Sequence, residues 1–80
     1  MVKLKQIKVE ELHKRIGQNV KKYREEKGIS QLELSHIIGH KSTTMISQGE
    51  IGKSKHFNIE QLDLISQALE LDICKFFEKS

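Results

Sequence analysis

Apolar residues in the first third of the chain recur with a helical period. Leu12, Ile16, Val20 and Tyr23 stand at i, i+4, i+8 and i+11, on one face of a helix expected over 10–27. Glu10 and Glu11 at its start and Lys27 at its end agree with the helix macrodipole, and Gly28 supplies the left-handed residue that commonly stops a helix. Ser30 followed by Glu33 then forms a capping box, with Ile29 and Leu34 at the flanking apolar positions. Leu34, Ile37 and Ile38 give this short second helix its buried side, and Gly39 ends it. After the turn His40-Lys41, Ser42 is expected to cap a third helix running from Thr43 to about Glu50. Asn58 and Gln61 repeat the capping box, Phe57 and Leu62 the apolar pair, and Ile59, Leu62, Ile65 and Leu69 the stripe of a fourth helix. Asp72 can cap a last short turn carrying Ile73, Phe76 and Phe77. The pattern predicts an all-α bundle of five short helices. Residues 1–9 fit neither the helical nor the strand period and are read as an arm before a domain spanning 10–80.

Composition narrows the function classes. Eighty residues make one small domain, too short for a cofactor domain beside a substrate domain. Ile, Leu, Val and Phe number 24 of 80, enough for a core. No stretch approaches a membrane span, and the single Cys74 excludes an intrachain disulfide, so a cytoplasmic setting is expected. The net charge of +3 conceals a sorting along the chain. Residues 1–27 carry a local +5, residues 28–56 +1 and residues 57–80 −3. Such sorting suits one face for a polyanion and another for something else.

The second and third helices, joined by a short turn that opens with Gly39, have the form of a helix-turn-helix over about 30–50. The device works because its second helix can enter a major groove ~12 Å wide, while helix starts favour phosphates. The start of the third helix reads Ser42-Thr43-Thr44, with Ser47 and Gln48 one turn on. Gln can pair bidentately with adenine, and Thr can bond a base edge or offer its methyl to thymine.

The run SQLELSHIIG followed by MISQGEIGK resembles the phage repressor/Cro-type (XRE-like) helix-turn-helix family. The likeness extends over about 12–77 in helix order. It implies a five-helix repressor-like bundle and a sequence-specific double-stranded DNA-binding transcriptional regulator, a repressor, bacterial or phage-encoded. It also implies a homodimer on a near-palindromic operator. By position in the family motif, Thr43, Thr44, Ser47 and Gln48 would contact bases. Ser30, Gln31, Lys41, Ser42, Lys53 and Lys55 would contact phosphates, Gln31 also bracing the recognition helix. Arg24 and Glu50 match a structural ion pair of the family.

The chain departs from the family pattern in three places. The turn is one residue longer, so His40-Lys41-Ser42 should bulge. His40 or Lys41 replaces the apolar residue that usually follows Gly39. Gly49 occupies the place of a large apolar residue, at a cost of about 1 kcal/mol in helix propensity, with Ile51 or Met45 expected to fill the hole.

Other features have blander readings. Lys14, Arg15, Lys21, Lys22 and Lys27 could line a phosphate track, against a solvated face as the ordinary alternative. Lys3, Lys5 and Lys8 could grip DNA as an arm, against a frayed terminus. His36 and His40 stand at i,i+4, but Gly39 interrupts them and no third ligand is evident, so no metal site is expected. Cys74, in an apolar run, is expected to be a buried structural thiol. Neither a strained nucleophile turn nor a phosphate-binding glycine loop is present, so the chain is not read as an enzyme, and no cofactor is expected. A competing reading takes the fold as a protein-interaction module, an antitoxin or docking partner. Its support is the acidic C-terminal part with Phe76 and Phe77.

Overall fold

The computed structural model describes residues 9–79 and, among them, four α-helices followed by one 3-10 turn. They are α1 (Val9–Glu26), α2 (Gln31–Ile37), α3 (Thr44–Ile51), α4 (Ile59–Ala68) and the turn Ile73–Phe77. The bundle is therefore all-α, with the fifth expected helix realised as a 3-10 turn. Val9 opens α1, so the helix expected over 10–27 spans Val9–Glu26 instead. The remainder of the arm, residues 1–8 with Lys3, Lys5 and Lys8, lies outside the described residues.

The helix limits follow from local chemistry. The side chains of Ser30 and Asn58 each accept a hydrogen bond from the backbone N–H three residues on, while the side chains of Glu33 and Gln61 accept one from the cap's own N–H. Both capping boxes thus satisfy amides that helix geometry leaves without partners. Three helices end in the same paired closure. After α1, Gly28 N–H donates to the Glu25 carbonyl and Ile29 N–H to that of Arg24. After α2 the pairs are Gly39 to His36 and His40 to Ser35, and after α4 they are Glu70 to Gln67 and Leu71 to Ser66. This closure needs a left-handed residue, which Gly28 (φ 70°) and Gly39 (φ 88°) adopt freely. Glu70 adopts it at φ 56° against its own side chain.

Ile16, Val20, Leu34, Ile46, Phe57, Leu62, Ile65, Leu69 and Phe76 form one buried cluster drawn from every element. The C-terminal turn is fastened to α1 by polar contacts as well. Asn19 Nδ2 donates to the carbonyls of Phe76 (2.9 Å) and Glu78 (2.7 Å), and the Tyr23 hydroxyl donates to Glu78 Oε1 (2.9 Å). That last bond raises the Tyr23 pKa above the ordinary phenol value and holds the Glu78 carboxyl below its usual range.

Cys74 departs from expectation: it is exposed. A 3-10 turn repeats every three residues, so Ile73 and Phe76 share the inward side while Cys74 and Phe77 share the outward one. Its thiol pKa is raised, chiefly by the contact with Asp72.

Candidate nucleic-acid interface

The candidate site is built on α3 and the segments that hold it. Its start lies one residue later than the sequence suggested. Ser42 is not the N-cap; Thr43 takes that place in a right-handed helical conformation and makes no side-chain cap bond. The Ser42 hydroxyl instead lies 3.3 Å from the Thr44 hydroxyl as its hydrogen-bond donor. The helix also runs one residue further, to Ile51, and Gly52 closes it at φ 71° with its N–H on the Gln48 carbonyl.

One side of α3 faces the protein. Ile46, Gly49 and Glu50 are buried there, with Met45 partly covered. The opposite side presents Thr44, Ser47, Gln48 and Ile51, which recur at helical spacing. Thr44, Gln48 and Ile51 are exposed and Ser47 is half-buried, its hydroxyl donating to the Thr44 carbonyl at 3.2 Å. Thr43 is half-buried beside them.

The buried side rests on α1 with almost nothing between the two backbones. A Cβ at Gly17 of α1 would lie 2.4 Å from the Glu50 carbonyl oxygen and 2.5 Å from that of Gly49. Gly49 itself lies under the Phe57 ring, where a Cβ would come within 2.4 Å of two ring carbons. Phe57 therefore fills the space that Ile51 or Met45 was expected to fill. Ile51 is 61% exposed and points away from it. The missing side chain at Gly49 is what lets the aromatic ring reach the helix.

An ion-pair network locks this arrangement. Arg24 Nε donates to Glu50 Oε2 at 2.7 Å and Nη2 to Oε1 at 3.1 Å, with side chains only 8% and 4% exposed. The remaining Arg24 nitrogen, Nη1, donates to the Ile29 carbonyl at 2.8 Å, and Gln31 Nε2 reaches Glu50 Oε1 at 2.9 Å. The bond to Glu50 raises the Arg24 pKa further, keeping the guanidinium charged. Four chain positions on α1, α2, α3 and the intervening loop are thereby tied at one point, where each polar group has a partner.

Around α3 the polar and basic residues singled out from sequence fall at its two ends. Lys41 and Ser42 are exposed in the turn before it, and Lys53 and Lys55 are exposed in the loop after it. Ser30 is exposed but occupied by its capping box, and half-buried Gln31 directs its amide to Glu50. His40, not Lys41, takes the half-buried place after Gly39. On α1, Lys14, Lys21, Lys22 and Lys27 are exposed and Arg15 half-buried, with the Lys22 ammonium 5.0 Å from the Tyr23 ring centroid. One contact has no counterpart in the sequence reading. The His13 ring on α1 stacks on the His56 ring of the loop, with centroids 3.6 Å apart and planes 2° from parallel. The two residues are 43 positions apart and no local pattern joins them. Among the described residues no group of three or more His, Cys, Asp or Glu could hold a metal ion, and no helix is long and apolar enough to cross a membrane.

Two short helices at a turn, the second with an exposed polar face and a locked rear, define a helix-turn-helix module. A family model described as helix-turn-helix matches residues 20–76, and the chain belongs to that family, in the repressor/Cro-type form its motif resembles. Among solved structures, it is similar to the master regulator for biofilm formation SinR, crystallised in complex with DNA. The identity is 30% and the TM-score 0.70, over 79% of this chain and 98% of that one. A second match, the crystal structure of apo-HppE, shares the fold alone: 18% identity and a TM-score of 0.73, over 84% of this chain but 36% of that one. No curated protein matches the chain significantly.

Proposed function

We propose that the protein is a sequence-specific double-stranded DNA-binding transcriptional regulator, a repressor, which reads the major groove with the exposed face of α3. The observation that carries this reading is the contrast between the two sides of α3. The rear is fixed by Gly17, Phe57 and the Arg24–Glu50 pair, while Thr44, Ser47 and Gln48 stand outward without charge. Membership of the helix-turn-helix family and the likeness to a regulator solved with DNA support it.

In this reading Thr43, Thr44, Ser47 and Gln48 choose sequence, and Ser30, Gln31, Lys41, Ser42, Lys53 and Lys55 set register and affinity on phosphates. A homodimer would place two copies of α3 about 34 Å apart on one face of a near-palindromic site. No catalytic role is assigned.

The test is selection of bound duplexes from a random pool, followed by titration of Lys53→Ala and Gln48→Ala. A near-palindromic consensus is expected. Lys53→Ala should weaken all duplexes alike and lower the salt slope by about one unit. Gln48→Ala should cost about 1–3 kcal/mol chiefly at one base pair. Absence of an enriched sequence, or equal losses for both variants on every duplex, would overturn the assignment.

A further inference from the structure

The loop that carries Lys53 and Lys55 is anchored to α1 at both of its ends. At the near end, Gly52 sits so close to α1 that a Cβ there would lie 2.7 Å from the His13 carbonyl oxygen and 3.0 Å from the Lys14 Cα. At the far end, His56 stacks flat on the His13 ring. The loop is also closed on itself, because His56 Nε2 lies 3.2 Å from the Lys53 carbonyl. A carbonyl only accepts, so Nε2 carries the proton and donates. Lys53 and Lys55 thus lie between two attachments that share a single α1 residue. That residue, His13, lies in the first turns of α1, before the residues 20–76 that the family model covers.

We propose that His13 is a positioning residue for DNA binding: its stack on His56 fixes the loop that presents Lys53 and Lys55 to backbone phosphates. The proposal rests on the DNA-binding reading above. Without the stack the loop keeps Gly52 against α1 and Phe57 in the core, but His56 loses its tie to α1, and the segment with both lysines must be ordered when the duplex binds. That ordering costs affinity. The stack also has a charge limit. Two imidazolium rings 3.6 Å apart repel, whereas one imidazolium on a neutral ring does not. Within three residues of the pair along the chain the charged groups are Glu10, Glu11, Lys14 and Arg15 on α1 and Lys53 and Lys55 on the loop. Burial, followed by the charge of His56, lowers the His13 pKa. Acid therefore drives the pair toward the doubly charged state, whose repulsion opposes the stack, and a phenyl ring at position 13 would remove that repulsion.

The experiment compares wild type, His13→Ala, His56→Ala, the double variant and His13→Phe, using a fluorescent random-sequence duplex at about 50 mM salt. Melting temperature and far-UV circular dichroism serve as folding controls. At pH 8 each alanine variant should lose about three- to tenfold in affinity, the double variant no more than either single, and His13→Phe should recover the loss. Backbone 15N order parameters at 53–56 should fall in His13→Ala and return to the wild-type values in His13→Phe, with or without DNA. From pH 8 to pH 5.5 the wild type should lose affinity relative to His13→Phe. Wild-type affinity in a folded His13→Ala protein, unchanged loop order parameters, or failure of Phe to rescue would each overturn the role of the stack. If the wild type binds no duplex at all, the DNA-binding reading itself fails. The order parameters then show separately whether the stack holds the loop.

Discussion

Replacing Glu50 with Ala should be among the most damaging single changes to the rear of α3. The substitution removes two of the three acceptors of the Arg24 guanidinium and leaves only the Ile29 carbonyl, while the Arg24 side chain, 8% exposed, has little access to water as a substitute. It also strips Gln31 Nε2 of its partner. Breaking a buried pair by deleting one member typically costs about 3–5 kcal/mol, because the survivor is left charged and unpaired. A chain of this length has a total stability of only about 4–12 kcal/mol, so about a quarter or more of it is at stake. Replacing both partners by apolar residues of similar size, Arg24→Met with Glu50→Leu, leaves no buried charge. It should therefore cost less than the two single changes summed, with a coupling of about 2–3 kcal/mol. Urea unfolding followed by circular dichroism at 222 nm, on the wild type, the two single variants and the double variant, measures each term. A cost below about 1 kcal/mol for Glu50→Ala would show that the pair behaves like a solvated surface bridge. The seating of α3 on α1 would then owe little to this pair.

Other substitutions test neighbouring parts of the argument. Gly17→Ala should destabilise by about 1–2 kcal/mol even though Ala is the better helix former, because its Cβ meets main-chain atoms of α3 that cannot turn aside; a raised melting temperature would refute the close crossing. Glu70→Gly should stabilise by about 1 kcal/mol and raise the melting temperature by about 4–8 °C, since glycine adopts φ 56° without steric cost. Ser30→Ala should lose about 1 kcal/mol through its cap. Hydrogen bonds to the Ser30 backbone and hydroxyl hold the Glu33 carboxyl below its usual range, and Asp72 is lowered by its bond from the Cys74 amide. For a lowered carboxyl, the stabilisation is complete above the unfolded value near pH 4.5. It is lost as pH falls through the lower folded value. Melting temperatures between pH 6 and pH 2 should show this loss, and Glu33→Gln should reduce it.

Much of the fold was legible because its signals are local. The reciprocal pairs Ser30/Glu33 and Asn58/Gln61 mark helix starts within four residues, and Gly28 and Gly39 mark stops. The start of α3 was harder to read because Ser42, Thr43 and Thr44 are all capable caps, and none makes the cap bond that would single it out. Cys74 was expected to be buried because its neighbours are apolar, whereas the five residues capped by Asp72 form a 3-10 turn whose period of three sends Ile73 and Phe76 inward and Cys74 outward. The Arg24–Glu50 match came from the family motif rather than from any spacing rule, since 26 residues separate the partners. Phe57 over Gly49 and His13 on His56 had no sequence signal. Each depends on where the loop after α3 passes, and the chain pattern does not determine that path.

The crossing of α1 and α3 at Gly17 has a consequence for how such a module could change its target. Where two helices meet through side chains, every substitution on one tilts the other. Here carbonyl oxygens of α3 lie against a glycine, so the helix is seated by main chain common to all sequences. Thr44, Ser47 and Gln48 lie on the far side of that seat. They can be exchanged as a set, like type in a fixed forme, with the axis of α3 left where it is.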